Sequence, residues 1–182
     1  MNRLKSFLLV AAVVLGLLPA MAQEKRYSPH ETVGNIIDGN RVTIIYGSPY
    51  TKSPRTGEVR KIWGSLVPFG QVWRLGADEA TLLITQKALQ FGSTTVPAGA
   101  YTLYLLPNQD GSAKLIINKQ IGQWGTEYDE QQDLGRVDVT KDTLDKSVDQ
   151  FTISIKKSDS GGGVIKLAWE NTQYSAPFTV QK

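Results

Sequence analysis

The chain has no cysteine, one histidine and two methionines, and no long apolar run beyond its first eighteen residues. Without cysteine there are no disulfides, no thiolate nucleophile, no iron–sulfur cluster and no cysteine zinc site. A lone histidine excludes any metal site that needs two imidazoles, and nothing else in the sequence asks for a metal or a cofactor. Helical periodicity is almost absent as well. What remains is ordinary globular composition, 41% hydrophobic and 20% charged over 182 residues, which excludes a disordered or collagenous chain.

The N-terminus reads as an address. Arg3 and Lys5 precede an unbroken apolar run over residues 7–18, Pro19 follows, and Ala20-Met21-Ala22 places small residues at −3 and −1 of a cleavage site. This is the order of a secretory signal peptide, residues 1–22, leaving residues 23–182 as one domain. The run is too short for a bilayer, which takes roughly 20 residues, and the lack of cysteine excludes a lipoprotein anchor. Removing Arg3 and Lys5 from the 20 basic residues leaves 18 against 17 acids, a net charge of +1 rather than +3. Near-neutrality gives no general attraction to nucleic acid or anionic membrane.

The remainder has the rhythm of antiparallel strands. Residues 32–37 and 41–47 flank Asp38-Gly39-Asn40, and residues 100–106 and 113–118 flank Pro107-Asn-Gln-Asp-Gly111, two hairpins. Residues 80–85, 151–155, 164–169 and 178–180 add further strands, with Phe151, Ile153 and Ile155 alternating against Thr152 and Ser154. About nine strands are expected in one all-β sandwich or barrel-like domain. One helix is expected over residues 140–148, where Leu144 and Val148 lie four apart, with Asp138, Asp142, Asp145 and Asp149 as a solvated face.

Two segments break the rhythm: residues 48–61, SPYTKSPRTGEVRK, and the Gly-, Gln- and acid-rich residues 119–135 around Trp124 and Tyr128. Between them residues 61–81 read KIWGSLVPFGQVWRLGADEAT. Trp63 and Trp73 offer flat faces for a sugar or peptide, Arg74 a planar fork for a carboxylate, and Asp78 and Glu79 adjacent acids, so these five are the candidate ligand-binding residues. The competing reading makes Arg74 an ion-pair partner of Asp78 or Glu79 that pins a turn at Gly76, with both tryptophans in the core.

Catalysis has less material. Asp78 and Glu79 are neighbours that would point to opposite faces of a strand, and partnering Glu79 with Glu127 or Asp129 has no support in spacing. His30, near the mature terminus, is expected to be solvated or at a strand edge. Asp129, Glu130 and Asp133 match no calcium loop. The basic loop of Lys52, Arg55, Arg60 and Lys61 could contact an anion but lacks the interleaved aromatics of a single-strand nucleic-acid site, so a solvated loop is expected.

With VPAGAYTLYLLP over residues 96–107 and LIINKQIGQWGTEY over residues 115–128, the tryptophan-rich block resembles the bacterial family called domain of unknown function 2911. Its blocks find counterparts at Ser28-Pro29, Tyr46-Gly-Ser-Pro49, Arg60-Lys-Ile-Trp-Gly64, residues 66–81, residues 97–103, Asn118-Lys119 and Trp124-Gly125. Val59 stands where the pattern has Gly, and Asp78 where it has Asn. The resemblance implies an extracytoplasmic protein and brings no activity.

The expected function is a non-enzymatic, secreted or periplasmic module that binds a small polar ligand, a glycan or an envelope partner. The alternatives are a hydrolase of cell-envelope material using Glu79 and Arg74, and a purely structural envelope protein. Sequencing the N-terminus of the exported protein is expected to find Gln23; an intact Met1 in the membrane fraction would sink the cleavage assignment.

Overall fold

Along residues 151–155 burial alternates as the pattern demands, with Phe151, Ile153 and Ile155 inside and Thr152 solvated. The computed structural model describes residues 26–181, and the expected leader lies outside the described residues. Nine strands run β1 His30–Ile37, β2 Asn40–Gly47, β3 Ala77–Thr85, β4 Leu89–Phe91, β5 Thr94–Val96, β6 Gly99–Pro107, β7 Ala113–Asn118, β8 Asp133–Lys157 and β9 Gly163–Val180. They form one antiparallel sheet in the order β1-β2-β3-β6-β7-β8-β9-β4-β5. The sheet curls, so that Asn35 Nδ2 on its first strand donates to Ile155 O on β8 at 3.0 Å. Among the described residues the only helical turn is a 3-10 turn at Glu130–Gln132, and no helix is long and apolar enough to cross a membrane.

The hairpins form where turn chemistry places them. Asp38 and Gly39 join β1 to β2 with φ of 48° and 72°, the left-handed pair that a tight two-residue hairpin needs. The short β4–β5 hairpin, which no alternation announces, lies beside the end of β9 through Leu89↔Val180.

The helix expected over residues 140–148 is instead the middle of β8, where Thr140, Lys141, Asp142 and Thr143 pair with Ser175, Tyr174, Gln173 and Thr172 of β9. A spacing of four is even, so it puts Leu144 and Val148 on one face of a strand as well as of a helix, and strand pairing decided. The four aspartates there are exposed as expected. In β9 the buried set is Ile165, Leu167 and Trp169, then Tyr174, Ala176 and Phe178. The alternation slips by one residue next to Glu170, which adopts φ of 50° where the β8 pairing is irregular. A bulge of this kind turns the rest of a strand over.

The core ends in an aromatic cluster. Trp73 stacks on Trp169 with centroids 5.8 Å apart and planes at 22°, and meets Phe151 edge-on at 5.0 Å. Tyr46 packs on Phe151 at 5.7 Å, while Trp63 closes against Trp73 and Tyr174. Phe151 is 1% exposed and touches three other aromatics in this cluster. Phe151→Ala is expected to cost about 3–5 kcal/mol, read as a drop in the urea midpoint at constant slope; a loss below about 1 kcal/mol would mean that the cluster carries little of the stability.

Candidate functional site

The strand register brings three distant segments together at one end of the sheet. His30 opposes Gly47, and Gly47 opposes Ala77. Segment 26–30 and the start of β3 are therefore neighbours across β2. Gly47 and Gly76 permit the approach: a Cβ on Gly47 would stand 2.2 Å from Ala77 O, and one on Gly76 2.7 Å from Gly47 O. Residues 48–61 are strapped to β8 by Thr51 N donating to Asp149 O and Phe151 N donating to Pro49 O at 2.9 Å.

A cleft of about 650 Å³ opens between these segments, bounded by residues 26–28 on one side, the loop of Arg55 and Arg60 on another, and Trp124 on a third. Trp73, Arg74, Gly76, Ala77 and Asp78 form its inner wall, with Trp169 behind them. The aromatic cluster is thus the floor of the cleft as well as the end of the core.

The backbone of the inner wall is strained. Leu75 and Asp78 both lie in the left-handed region, with φ of 54° and 63°. Thr81 Oγ1 donates to Leu75 O at 2.8 Å and holds the first of these. Such conformations persist where surrounding structure over-determines them, commonly at functional sites. Their effect is on side-chain direction. The reversal at Asp78 breaks the alternation that would send adjacent carboxylates to opposite faces, and both turn toward His30, whose Nε2 lies 3.6 Å from Asp78 Oδ2 and 3.2 Å from Glu79 Oε2. His30 begins the edge strand β1, and its side chain, 30% exposed, is part of this cluster.

Arg74 makes no ion pair with Asp78 or Glu79; the turn-pinning pair is absent. Glu79 is instead taken by Arg26, which reaches both its carboxylate oxygens, one at 3.1 Å. Arg74 is half-buried, and its Nε is buried without a hydrogen-bond partner. Its stem is fixed by close contact with loop 119–135: a Cβ on Gly125 would stand 2.3 Å from Arg74 Cδ. That loop is held by Gly125 N donating to Asp78 O at 3.0 Å and by Ala80 N donating to Gln123 O at 3.3 Å.

A family profile described as "Protein of unknown function (DUF2911)" matches residues 28–178. The chain belongs to this family. No curated protein and no solved structure matches it significantly. In DUF2911 terms, the motif position where this chain has Asp78 carries Asn in the pattern given above. Asn and Asp are the residues other than glycine that best tolerate left-handed backbone, so the departure preserves the turn.

Of the five residues singled out in the sequence, Trp73, Arg74 and Asp78 line the cleft of this DUF2911 chain. Glu79 is at its edge with Arg26. Trp63 does not line it; the ring packs in the aromatic cluster, with Nε1 donating to Trp169 O at 3.4 Å. Arg26, Trp124 and Trp169 also line the cleft but are not among the expected site residues, and Arg55 and Arg60, expected in a solvated loop with an anion contact as the alternative, line it too. Arg60 Nε donates to Thr51 O at 3.4 Å and its Nη2 to Tyr50 O, and burial lowers its guanidinium below the usual range. Arg55 stands 4.8 Å over the Tyr27 ring. Trp124 had two signals in the sequence, its place in a long glycine-rich loop and its membership of the Trp124-Gly125 family block.

Asp129, Glu130 and Asp133 are engaged within the protein. Asp129 accepts from Gln131 N at 3.0 Å, and Asp133 accepts from Asn118, Tyr128 and Arg136. This network ties down the loop that carries Trp124 and Gly125. Burial, followed by the hydrogen bond to Asp133, raises the Tyr128 phenol from 10.0 to about 12. A folded pKa above the ordinary one means that this stabilisation is complete below about pH 10 and is lost as pH rises toward 12. The stability gap between the native chain and Tyr128→Phe, measured by urea titration, is expected to hold steady up to pH 10 and then narrow. A gap that is flat across that range would separate Tyr128 from loop stability.

Proposed function

We propose that this DUF2911 chain is a secreted or periplasmic module that binds a small polar ligand, glycan or envelope partner in the cleft beside Arg74. The leader pattern of residues 1–22 supports the location. The observation that carries the binding reading is Arg74: a guanidinium with its stem clamped by Gly125 and its buried Nε unpartnered, in an open cleft. Buried donors left without a protein partner are costly, and a ligand that fills the hydrogen bond recovers that cost. The cleft's size is within the roughly 300–1,000 Å³ of small-molecule sites, and Trp124, 44% exposed at its rim, offers an apolar face beside polar groups.

A hydrolase reading rests on His30 with Asp78 and Glu79. Glu79, however, is already engaged by Arg26, and no serine, threonine or tyrosine donates to His30 among the described residues. Binding is therefore the better supported of the two. A purely structural role leaves the strained wall and the orphaned Arg74 Nε without purpose.

Screening sugars, short peptides and organic acids by thermal shift and tryptophan fluorescence tests this directly. A ligand at 100 times its Kd adds about 2.7 kcal/mol, or roughly 5–10 °C for a domain of this size. Trp124→Ala is expected to abolish most of that shift while moving the ligand-free Tm by no more than about 2 °C. If no member of the screen shifts the Tm, or the variant keeps the full shift, the cleft is not the binding site.

A further inference from the structure

We infer that the ligand of this cleft is a ring-bearing oxyanion, its carboxylate or phosphate group held by Arg74, Arg60 and Arg55 and its flat body laid against Trp73 and Trp124. This deepens the binding reading above and rests on it. The cleft holds uncompensated positive charge. Four arginines line the cleft against a single acid, Asp78. Arg26 is neutralised by Glu79 at the edge. The other three meet no carboxylate among the described residues: Arg60 donates only to the carbonyls of Tyr50 and Thr51, Arg55 lies on the Tyr27 ring, and Arg74 Nε has no partner. Asp78 faces His30 rather than any of them.

Guanidinium groups gathered in a concave, partly desolvated wall repel one another and attract oxyanions, because low-dielectric surroundings screen poorly. Arginine presents donors in a planar fork that matches carboxylate and phosphate oxygens two at a time. The fork of Arg74 is also set in advance, since Gly125 leaves its stem no room to move toward the loop. Little side-chain freedom is then lost on binding. The tryptophan faces add the second requirement. Trp124 is exposed and Trp73 half-buried on the same wall system, and such faces take sugar C–H faces or aromatic rings.

The test uses probes that share a ring and differ in the charged group: glucuronate and glucose 6-phosphate against glucose, and benzoate against benzamide, each titrated into the purified chain by calorimetry. At least one anion is expected to bind more tightly than its neutral partner by about tenfold or more. That preference is expected to shrink as salt rises from 50 to 500 mM, as screening requires. Arg74→Gln is expected to weaken the anion about 10- to 100-fold and the neutral probe several-fold less than that. Arg74→Lys, which keeps the charge without the fork, is expected to recover part of the loss, and circular dichroism checks that both variants fold. Arg60→Gln is expected to act in the same direction, and Arg41→Gln, at the far end of β2, to change nothing. The sugar and benzoate arms distinguish an acidic glycan from an aromatic acid.

Equal binding of neutral and anionic probes would overturn the oxyanion assignment and leave the binding cleft standing. An anion preference that survives Arg74→Gln and Arg60→Gln would overturn it as well. If no probe of either series binds, the assignment falls together with the reading of the cleft on which it rests.

Discussion

The stack of Trp73 on Trp169 is the contact on which the rest of this structure depends. One ring comes from an irregular segment between strands, the other from the middle of the last strand, and Phe151 of β8 closes the third side. Aromatic pairs of this geometry add specific attraction to a large burial of apolar area. Trp73 is also bound through its backbone, exchanging N–H and C=O with Leu105 of β6 at 2.8 and 2.9 Å. A segment fastened on both its backbone and its ring can hold strain in the residues that follow it. Leu75 and Asp78 are those residues, and Arg74 lies between the anchor and the strain.

How much of this was legible differs from element to element. Residues 113–118 were expected as a strand and form one with the same limits, because β-branched and apolar residues there are flanked by clear turns. The strands of three residues each at Leu89–Phe91 and Thr94–Val96 are too short to display an alternation. The helix expected at 140–148 failed for a reason of arithmetic, since its only periodic clue was an even spacing. Beyond Glu170 the inside–outside phase of β9 reverses, and a strand read outward from Ile165 would misassign Tyr174 and Phe178.

The site divides along a similar line. Trp73, Arg74 and Asp78 were visible because they are contiguous and of unusual composition. Arg26 and His30 were not, because what places them is the pairing of β1 with β2 and of β2 with β3, and register is a property of the folded sheet. The separation of Asp78 and Glu79 across a strand was sound reasoning from a pleat that the left-handed turn at Asp78 removes. The missing ion pair at Arg74 has the same origin, for Glu79 meets an arginine 53 residues earlier in the chain.

The β4–β5 hairpin also has a bearing on time rather than space. Its outer strand is an edge, and outside the hairpin its inner strand pairs with Thr179 and Val180, at the end of β9. Until those residues emerge from the ribosome, six residues of strand have no sheet to join. Gln90 then gains Gln181 as a side-chain partner across a separation of 91 residues. Closing so long a loop costs only modestly more than closing a short one, but it cannot begin early. Assembly of this sheet therefore waits for Thr179 and Val180, and a molecule halted before them would carry an open edge where the finished one has a seam.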